Sequence, residues 1–300
     1  MTTAVAAALD TPASRRRGQI YIALAAVAWS TAGVLQRQLS LDAATQVGGR
    51  AVFAALALLV YVAIVERGNV LGAWRSIGLA GVGLAVCLAA ASCAFILALN
   101  ETTVARVLFI QAIAPVLAAV LARVLLGEPI SRRTAFALAL ALAGVGIMLG
   151  APGGGTAKGD LLALGMALSF ALALVITRHR RDVSMAPATC LSQVLLMVAF
   201  LPFASLGDVG GEDLAVLAGL GAGQIGLGLI FLTIGARLIP AAQVGLITLL
   251  EVVLGPLWVW LALDEHPGTS TLVGGAVVVV AIVVQTRGKT ADDGAIPPPP

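Results

Sequence analysis

The sequence predicts an all-α integral membrane protein with ten transmembrane helices, arranged as two inverted five-helix repeats with cytoplasmic N- and C-termini. Three observations support this prediction: the composition, the distribution of basic residues and an internal repeat. Of the 300 residues, 60% are hydrophobic and 11% are charged, whereas soluble domains carry about 25% charged residues. Because so apolar a chain cannot present a water-compatible surface, we expect much of it to lie in lipid.

The length accommodates ten membrane-spanning helices with short loops, since each such helix needs about 20 apolar residues. Turn-forming and charged segments, such as ERGN at 66–69 and RHRRD at 178–182, separate the apolar runs. Backbone groups in hydrocarbon must be satisfied within their own segment, which favours helices over strands. We predict spans at 19–36, 45–65, 77–98, 103–125, 134–150, 160–178, 187–206, 214–235, 241–262 and 271–286.

The basic residues predict the orientation of these spans. With a cytoplasmic N-terminus, thirteen of the 18 Lys and Arg residues fall on the inner side, and Arg37 and Lys158 fall outside. The remaining three, Arg50, Arg106 and Arg123, lie within or at the ends of spans. An excess of basic residues in cytoplasmic loops is typical of multi-pass proteins. One span more or fewer would destroy this asymmetry, so we predict ten spans and a multi-pass protein of the cell inner membrane.

An internal repeat divides the chain into two halves. Shifted by 137 residues, the stretch 104–149 aligns without gaps with 241–286, and Gln111 then coincides with Thr248. Each copy has a long helix, an acid-containing turn and a short helix. Because each half contains an odd number of spans, the second must be inserted upside down. Inverted repeats that enclose a central site are typical of secondary transporters.

The same repeat sets the predicted domain organisation. Two further stretches, 18–36 and 159–177, both begin with glycine and place an aromatic residue eleven positions later. The glycine-rich segment between the halves lacks the spacing of a phosphate-binding loop and is predicted to be a flexible linker. The predicted units are a cytoplasmic tail at 1–18, a first repeat at 19–150, a linker at 151–159, a second repeat at 160–287 and a disordered cytoplasmic tail at 288–300.

Three features resemble the EamA-type families of the drug/metabolite transporter superfamily: APVLAAVLARVLLGEP at 114–129, LLEVVLGPLWVWLALDEHP at 249–267, and the early Trp29. The resemblance covers about residues 18–287, and within the superfamily the chain looks like the exporters of aromatic and other neutral amino acids. It implies ten helices in two inverted halves, a central cavity and export toward the outside. The chain departs from the family pattern at Val252, where proline is usual, and in its DEHP turn, where GE is usual.

Glu251 is the strongest candidate for a functional residue. It lies near the middle of the ninth span, where a carboxylate costs about 2.5–3.5 kcal/mol on insertion scales. Helical spacing places Thr248 and Trp258 on its face, and the repeat places Gln111 and Pro115 on the symmetry-related fourth span. We predict that these residues line one cavity, in which Glu251 or Gln111 receives a substrate ammonium or polar group. Glu251 is also the natural proton carrier if transport is proton-coupled; a structural ion pair with an arginine is its alternative role.

Four further residues are candidates to contact a substrate. Trp29 and Ser30 form a polar and aromatic group in the first span, and Phe170 occupies the position of Trp29 in the second repeat. Cavity lining and simple packing are equally compatible with this group. Arg50, near the start of the second span, suits a substrate carboxylate, although a snorkelling or ion-paired arginine is the alternative.

The sequence predicts no cofactor, no metal site and no nucleic-acid partner; the expected partners are the lipid bilayer and a small-molecule substrate, and no oligomer is implied. The cysteines Cys87, Cys93 and Cys190 lie in apolar runs without metal-binding spacing. Two other functions stay open. One is the export of drugs or other metabolites. The other is an integral-membrane lipid enzyme, for which DEH at 264–266 is the one compact polar cluster.

Overall fold

The computed structural model describes residues 11–36, 38–66, 69–102, 104–150, 156–263, 266 and 268–286. The predictions for the first ten residues, for linker residues 151–155, for Asp264 and Glu265, and for the C-terminal tail therefore concern parts of the chain outside this description.

Ten helices within the described residues are long and apolar enough to cross a membrane. The described residues form no β-strand. The prediction of an all-helical protein with ten spans is therefore confirmed. In chain order, spans 1 to 10 are Pro12–Gln36, Ala43–Val65, Gly78–Ala98, Arg106–Leu126, Arg132–Leu149, Ala157–His179, Ala186–Phe203, Gly211–Gly235, Ala241–Ala262 and Thr269–Thr286.

Span 1 begins at Pro12, seven residues before the predicted start at residue 19. Thr11 caps this helix, because its side-chain oxygen accepts a hydrogen bond from the backbone amide of Ser14 at 3.2 Å. Pro12 occupies the first turn, where a missing N–H needs no partner. The three consecutive arginines at 15–17 are therefore helical, although the sequence predicted them to lie in a tail.

Two spans are broken at equivalent places. The helices of span 4 are Val104–Gln111 and Ala114–Leu126, and those of span 9 are Ala241–Thr248 and Leu250–Leu263. A shift of 137 residues carries Ala112, the first residue of the break in span 4, onto Leu249, the break in span 9. Pro115 lies in the first turn after the break in span 4, but its equivalent in span 9 is Val252. The break therefore belongs to the repeat and does not require the proline.

Two other spans also depart from regular α-helix. Span 1 is interrupted at Thr31, and span 8 contains a π-helical segment, Gly219–Gly226. Such segments are rare and are frequent at functional sites. The remaining short elements are a helix at Val70–Ser76 before span 3, a 3₁₀ turn at Leu201–Phe203 that ends span 7, and a second 3₁₀ turn at Leu206–Asp208.

The two repeats run in opposite directions through the bundle. Span 5 packs against its equivalent, span 10, so closely that a Cβ built on Gly274 would lie 2.4 Å from the Gly144 carbonyl oxygen. Near the other end of the same pair, the Gln285 amide donates a hydrogen bond to Thr134 Oγ1 at 3.2 Å. Residue numbers rise along one span as they fall along the other, so the equivalent spans are antiparallel.

The rest of the packing obeys the same two-fold relation. Span 1 packs on span 8 as span 3 packs on span 6, while spans 2 and 4 pack on their own equivalents, spans 7 and 9. Gly18 lies against Leu238 just before span 9, and its equivalent Gly159 lies against Thr102 just before span 4. A Cβ at either glycine would approach these side chains within 2.8 Å. Glycine at both positions therefore permits the same close helix contact.

Polar contacts mark one end of the bundle, which we call the arginine face. Arg178 Nε donates to the Glu128 carboxylate at 2.8 Å, and Arg178 Nη1 donates to the backbone carbonyl of Arg237 at 3.2 Å. The guanidinium of Arg237 in turn donates to the carbonyl of Arg181 at 2.7 and 2.9 Å. These contacts connect the turn between spans 4 and 5 to the ends of spans 6 and 8.

Other ion pairs mark the opposite face. Arg106 at the start of span 4 pairs with Asp160 at the start of span 6, at 2.5 Å. Lys158 and Glu101 form a second pair at 2.7 Å between the same two regions. Spans 4 and 6 therefore both run from the opposite face to the arginine face.

We expect Gly274→Ala to destabilise the protein by about 1–3 kcal/mol, because the added methyl overpacks the contact with span 5. A lower apparent melting temperature in detergent would measure the loss. The matched control is Gly165→Ala in span 6, where a Cβ meets nothing within 4 Å. Equal melting temperatures for the two variants would contradict the close packing of spans 5 and 10.

Candidate functional site

A hydrogen bond joins the two repeats at the broken spans. Gln111 Nε2 of span 4 donates to Glu251 Oε1 of span 9 at 2.5 Å. Gln111 is the last residue of the helix before its break, and Glu251 lies in the first turn of the helix after its own break. The two interruptions are local, since Ile113 and Leu249 keep right-handed helical dihedral angles. The contact therefore forms a polar junction between equivalent positions of spans 4 and 9.

The amide of Gln111 keeps unused hydrogen-bonding capacity. Since its Nε2 donates to a carboxylate, its Oε1 must point elsewhere. This oxygen is buried and accepts no hydrogen bond from the described part of the chain. The junction can therefore receive a hydrogen-bond donor, such as an ammonium or hydroxyl group, between an amide oxygen and a carboxylate.

Pro115 and Thr248 lie at the same contact between spans 4 and 9. A Cβ built on Gly245 would lie 2.8 Å from the Pro115 Cα, so the two backbones approach closely there. Thr248 is buried, and its hydroxyl donates to the carbonyl of Gly245 at 2.7 Å. The hydroxyl thus satisfies its donor within its own helix, next to the break.

Trp258 and Ser30 form a second junction between the repeats. The indole N–H of Trp258 in span 9 donates to Ser30 Oγ in span 1 at 2.8 Å, and Ser30 donates to the carbonyl of Val27 at 2.7 Å. Glu251 and Trp258 therefore contact different spans. That Thr248, Glu251 and Trp258 line one cavity stays a prediction.

Trp29 and Phe170 form a third junction. Their rings pack edge to face, with centroids 6.0 Å apart and planes at 73°, a geometry that aromatic pairs favour. These two residues are equivalent in the repeat, so the contact connects span 1 with span 6 across the two-fold relation. The indole also lies over Gly228 of span 8, where a Cβ would come within 2.1 Å of its nitrogen.

Arg50 lies apart from these junctions. It is only 7% exposed, and its Nη2 donates to Ser92 Oγ of span 3 at 3.0 Å. No acidic side chain within the described residues forms an ion pair with it. A buried guanidinium without a carboxylate is costly, so this position suits an anionic group.

A cavity of about 560 Å³ lies between spans 1, 8 and 9 and is open at the surface of the bundle, where the lining residues Leu227 and Leu261 are exposed. Its size is within the usual range for small-molecule sites. Trp258 borders it, as do Thr31 at the interruption of span 1 and Gln224 in the π-helical segment of span 8. Gln224 is not among the residues predicted from the sequence, although an amide within the apolar run GAGQIGLG is a detectable signal. Most of the remaining lining is aliphatic.

The three cysteines are unpaired. Within the described part of the chain, no group of three or more His, Cys, Asp or Glu side chains has a geometry that suits a metal ion. Of the residues in the DEH cluster, the described His266 is exposed and packs beside Trp260.

These features define a polytopic membrane protein built from two inverted repeats that meet at polar and aromatic junctions. A profile of the EamA-like transporter family matches the chain twice, over residues 16–150 and 157–287. The chain therefore belongs to the EamA-like transporter family, a membrane transporter family of the drug/metabolite superfamily.

A comparison with solved structures supports the fold. A protein of known crystal structure has a TM-score of 0.76 with this chain at 22% sequence identity, over 90% of this chain and 96% of the other. A comparison with curated proteins found no match.

We expect Glu251→Ala to destabilise the protein by about 1–3 kcal/mol, because it leaves the buried Gln111 amide without its acceptor. Glu251→Gln retains an acceptor of the same shape and should cost less. Apparent melting temperatures in detergent measure both effects, with the exposed Glu212→Ala as the control. Equal losses for the alanine and glutamine variants would show that this hydrogen bond contributes little to stability.

Proposed function

We propose that the protein is a secondary transporter that exports aromatic and neutral amino acids, and related small metabolites, across the cell inner membrane by alternating access. The observation that carries the proposal is the Gln111–Glu251 hydrogen bond, which links the two inverted repeats at broken helices. Broken helices at the interface between inverted repeats are typical of the substrate sites of secondary transporters.

In this proposal each junction has a chemical role. The Glu251 carboxylate and the free oxygen of Gln111 accept hydrogen bonds from the substrate ammonium, while the nearby Pro115 and Thr248 shape the path between spans 4 and 9. The aromatic rings of Trp29, Phe170 and Trp258, the last held by Ser30, hold the apolar part of the substrate. Arg50 receives the substrate carboxylate at a later position along the path.

Glu251 also provides a way to couple transport to a proton gradient. An intramembrane carboxylate bound to a neutral amide can exist in both protonation states, and such residues are typical of proton relays. Release of the proton would create the charge that attracts an ammonium group. Substrate and proton would therefore alternate at one carboxylate, which is the requirement for antiport.

The export of drug-like compounds is a second candidate function, favoured by the cavity between spans 1, 8 and 9. Its lining is largely aliphatic, with Thr31, Gln224 and Trp258 as polar or aromatic contacts. An apolar site of this kind suits a larger, less polar solute than an amino acid. The two candidate functions are distinguished by the solute that is transported. The first predicts transport of a labelled amino acid, and the second predicts transport of a lipophilic compound.

The decisive measurement for the first candidate is transport in liposomes containing the purified protein. We expect labelled phenylalanine and other neutral amino acids to accumulate when a pH gradient is imposed. In Glu251→Gln, the gradient-driven component should fall about tenfold or more, because the proton carrier is gone. Glu212→Gln, which removes an exposed carboxylate, is the matched control and should transport normally.

Transport that is indifferent to Glu251→Gln combined with Gln111→Ala would refute the site. No uptake of any amino acid, together with uptake of lipophilic compounds, would favour the drug exporter.

We propose that the arginine face is cytoplasmic and that both termini lie on that side, because cytoplasmic loops are enriched in Lys and Arg. Single cysteines at the exposed positions Pro129 and Ser270 test this orientation. In intact cells, a membrane-impermeant maleimide should label Ser270→Cys and should label Pro129→Cys only after permeabilisation. The reverse pattern would place the termini outside, and labelling of both variants from one side would contradict the inverted repeat.

A further inference from the structure

Apolar packing differs between the two halves of the bundle, although the repeats are inverted copies. In the half next to the arginine face, a single hydrophobic core joins spans 1–4 and 6–9. Leu58, Ala118, Leu174 and Ile239 belong to it, each no more than 1% exposed. Close-packed side chains from eight spans therefore close this half of the bundle.

In the half next to the opposite face, the buried apolar residues fall into separate, smaller clusters. One joins spans 3, 4 and 6 and another joins spans 2, 3 and 7. The cavity of about 560 Å³ between spans 1, 8 and 9 lies in this half as well. Since its lining includes Leu35 and Ala262, both at span ends next to the opposite face, the cavity extends toward that face.

An ionic network adds to the closure at the arginine face. We call Glu128, Arg178, Arg181 and Arg237 the latch. Glu128 is 8% exposed and Arg178 is 5% exposed, so their ion pair is buried. Because Glu128 belongs to the first repeat and the three arginines belong to the second, the latch connects the two repeats. A path through the arginine half would have to separate its members.

We propose that this structure is the state open toward the opposite face, and that the latch stabilises that state by holding the arginine half closed. The inference rests on the proposed alternating-access function. Opening toward the arginine face would separate Glu128 from Arg178 and expose the core that spans 1–4 and 6–9 share. Each buried charge would lose its partner, so the ion pair favours one state over the other rather than stabilising both.

The test measures access to the closed core directly. Ala118, which is fully buried in that core, is replaced by cysteine in a chain whose Cys87, Cys93 and Cys190 are changed to alanine. The protein is reconstituted in liposomes with the arginine face outward and exposed to a membrane-impermeant maleimide. With the latch intact, we expect slow labelling of Ala118→Cys.

Removal of both charges should open the core. In Glu128→Gln combined with Arg178→Gln, neither member of the ion pair remains as a charge without its partner, and we expect Ala118→Cys to react about tenfold faster as the population shifts. The matched control is Arg132→Gln, an exposed arginine at the same face, which should leave the rate unchanged. Restored slow labelling after the charge exchange Glu128→Arg with Arg178→Glu would assign the effect to the ion pair.

A second cysteine measures access to the cavity in the half next to the opposite face. Gly223 borders the cavity, and a Cβ there meets nothing within 4 Å. With the opposite face outward, Gly223→Cys should react quickly when the latch is intact and more slowly in the double glutamine variant. Opposite changes at positions 118 and 223 distinguish a change of state from local unfolding, which would speed up both reactions.

Fast labelling of Ala118→Cys with the latch intact would overturn the assignment of the closed half. Unchanged rates in the double glutamine variant would overturn the role of the latch. Neither measurement requires a substrate. Failure of amino-acid transport with the expected labelling would therefore refute the proposed substrate alone, whereas normal transport with unchanged labelling would refute the latch alone.

Discussion

A carboxylate within a lipid-solvated bundle must find a polar partner, and here that partner comes from the other repeat. The Gln111 amide and the Glu251 carboxylate meet where the equivalent spans 4 and 9 pack against each other, next to the interruption in each span. The buried carboxylate therefore has a partner because equivalent spans of the two repeats meet. The aromatic pair Trp29–Phe170 is a second contact of this kind, between spans 1 and 6.

The two repeats have the same fold but carry different side chains at equivalent positions. Gln111 corresponds to Thr248, and Trp29 corresponds to Phe170, so equivalent positions carry different functional groups. The same is true of packing, since one half of the bundle forms a single core and the other half is divided around a cavity. An inverted repeat with identical halves would have two equal states. Divergence between the halves allows the sequence to set which state is favoured.

Much of this structure is accessible from the sequence because composition, charge and repetition act over whole spans. The ten helices, the two repeats and the proximity of spans 4 and 9 follow from such signals. Neither the break in span 4 nor the one at Leu249 was predicted, because hydropathy reports whole spans and not local helix geometry. The helical arginines at 15–17 were assigned to a tail because their cap, Thr11, is a local signal beside a stronger charge signal. The Arg50–Ser92 contact depends on helix rotation, which hydropathy does not encode.

The capped start of span 1 determines how those three arginines meet the lipid. Successive residues of an α-helix project about 100° apart, so Arg15, Arg16 and Arg17 spread over about 200° of the helix circumference rather than forming a narrow stripe. Movement of span 1 along its axis toward the hydrocarbon would carry these charged groups out of a polar environment, which is costly. The three arginines therefore oppose such a movement of span 1.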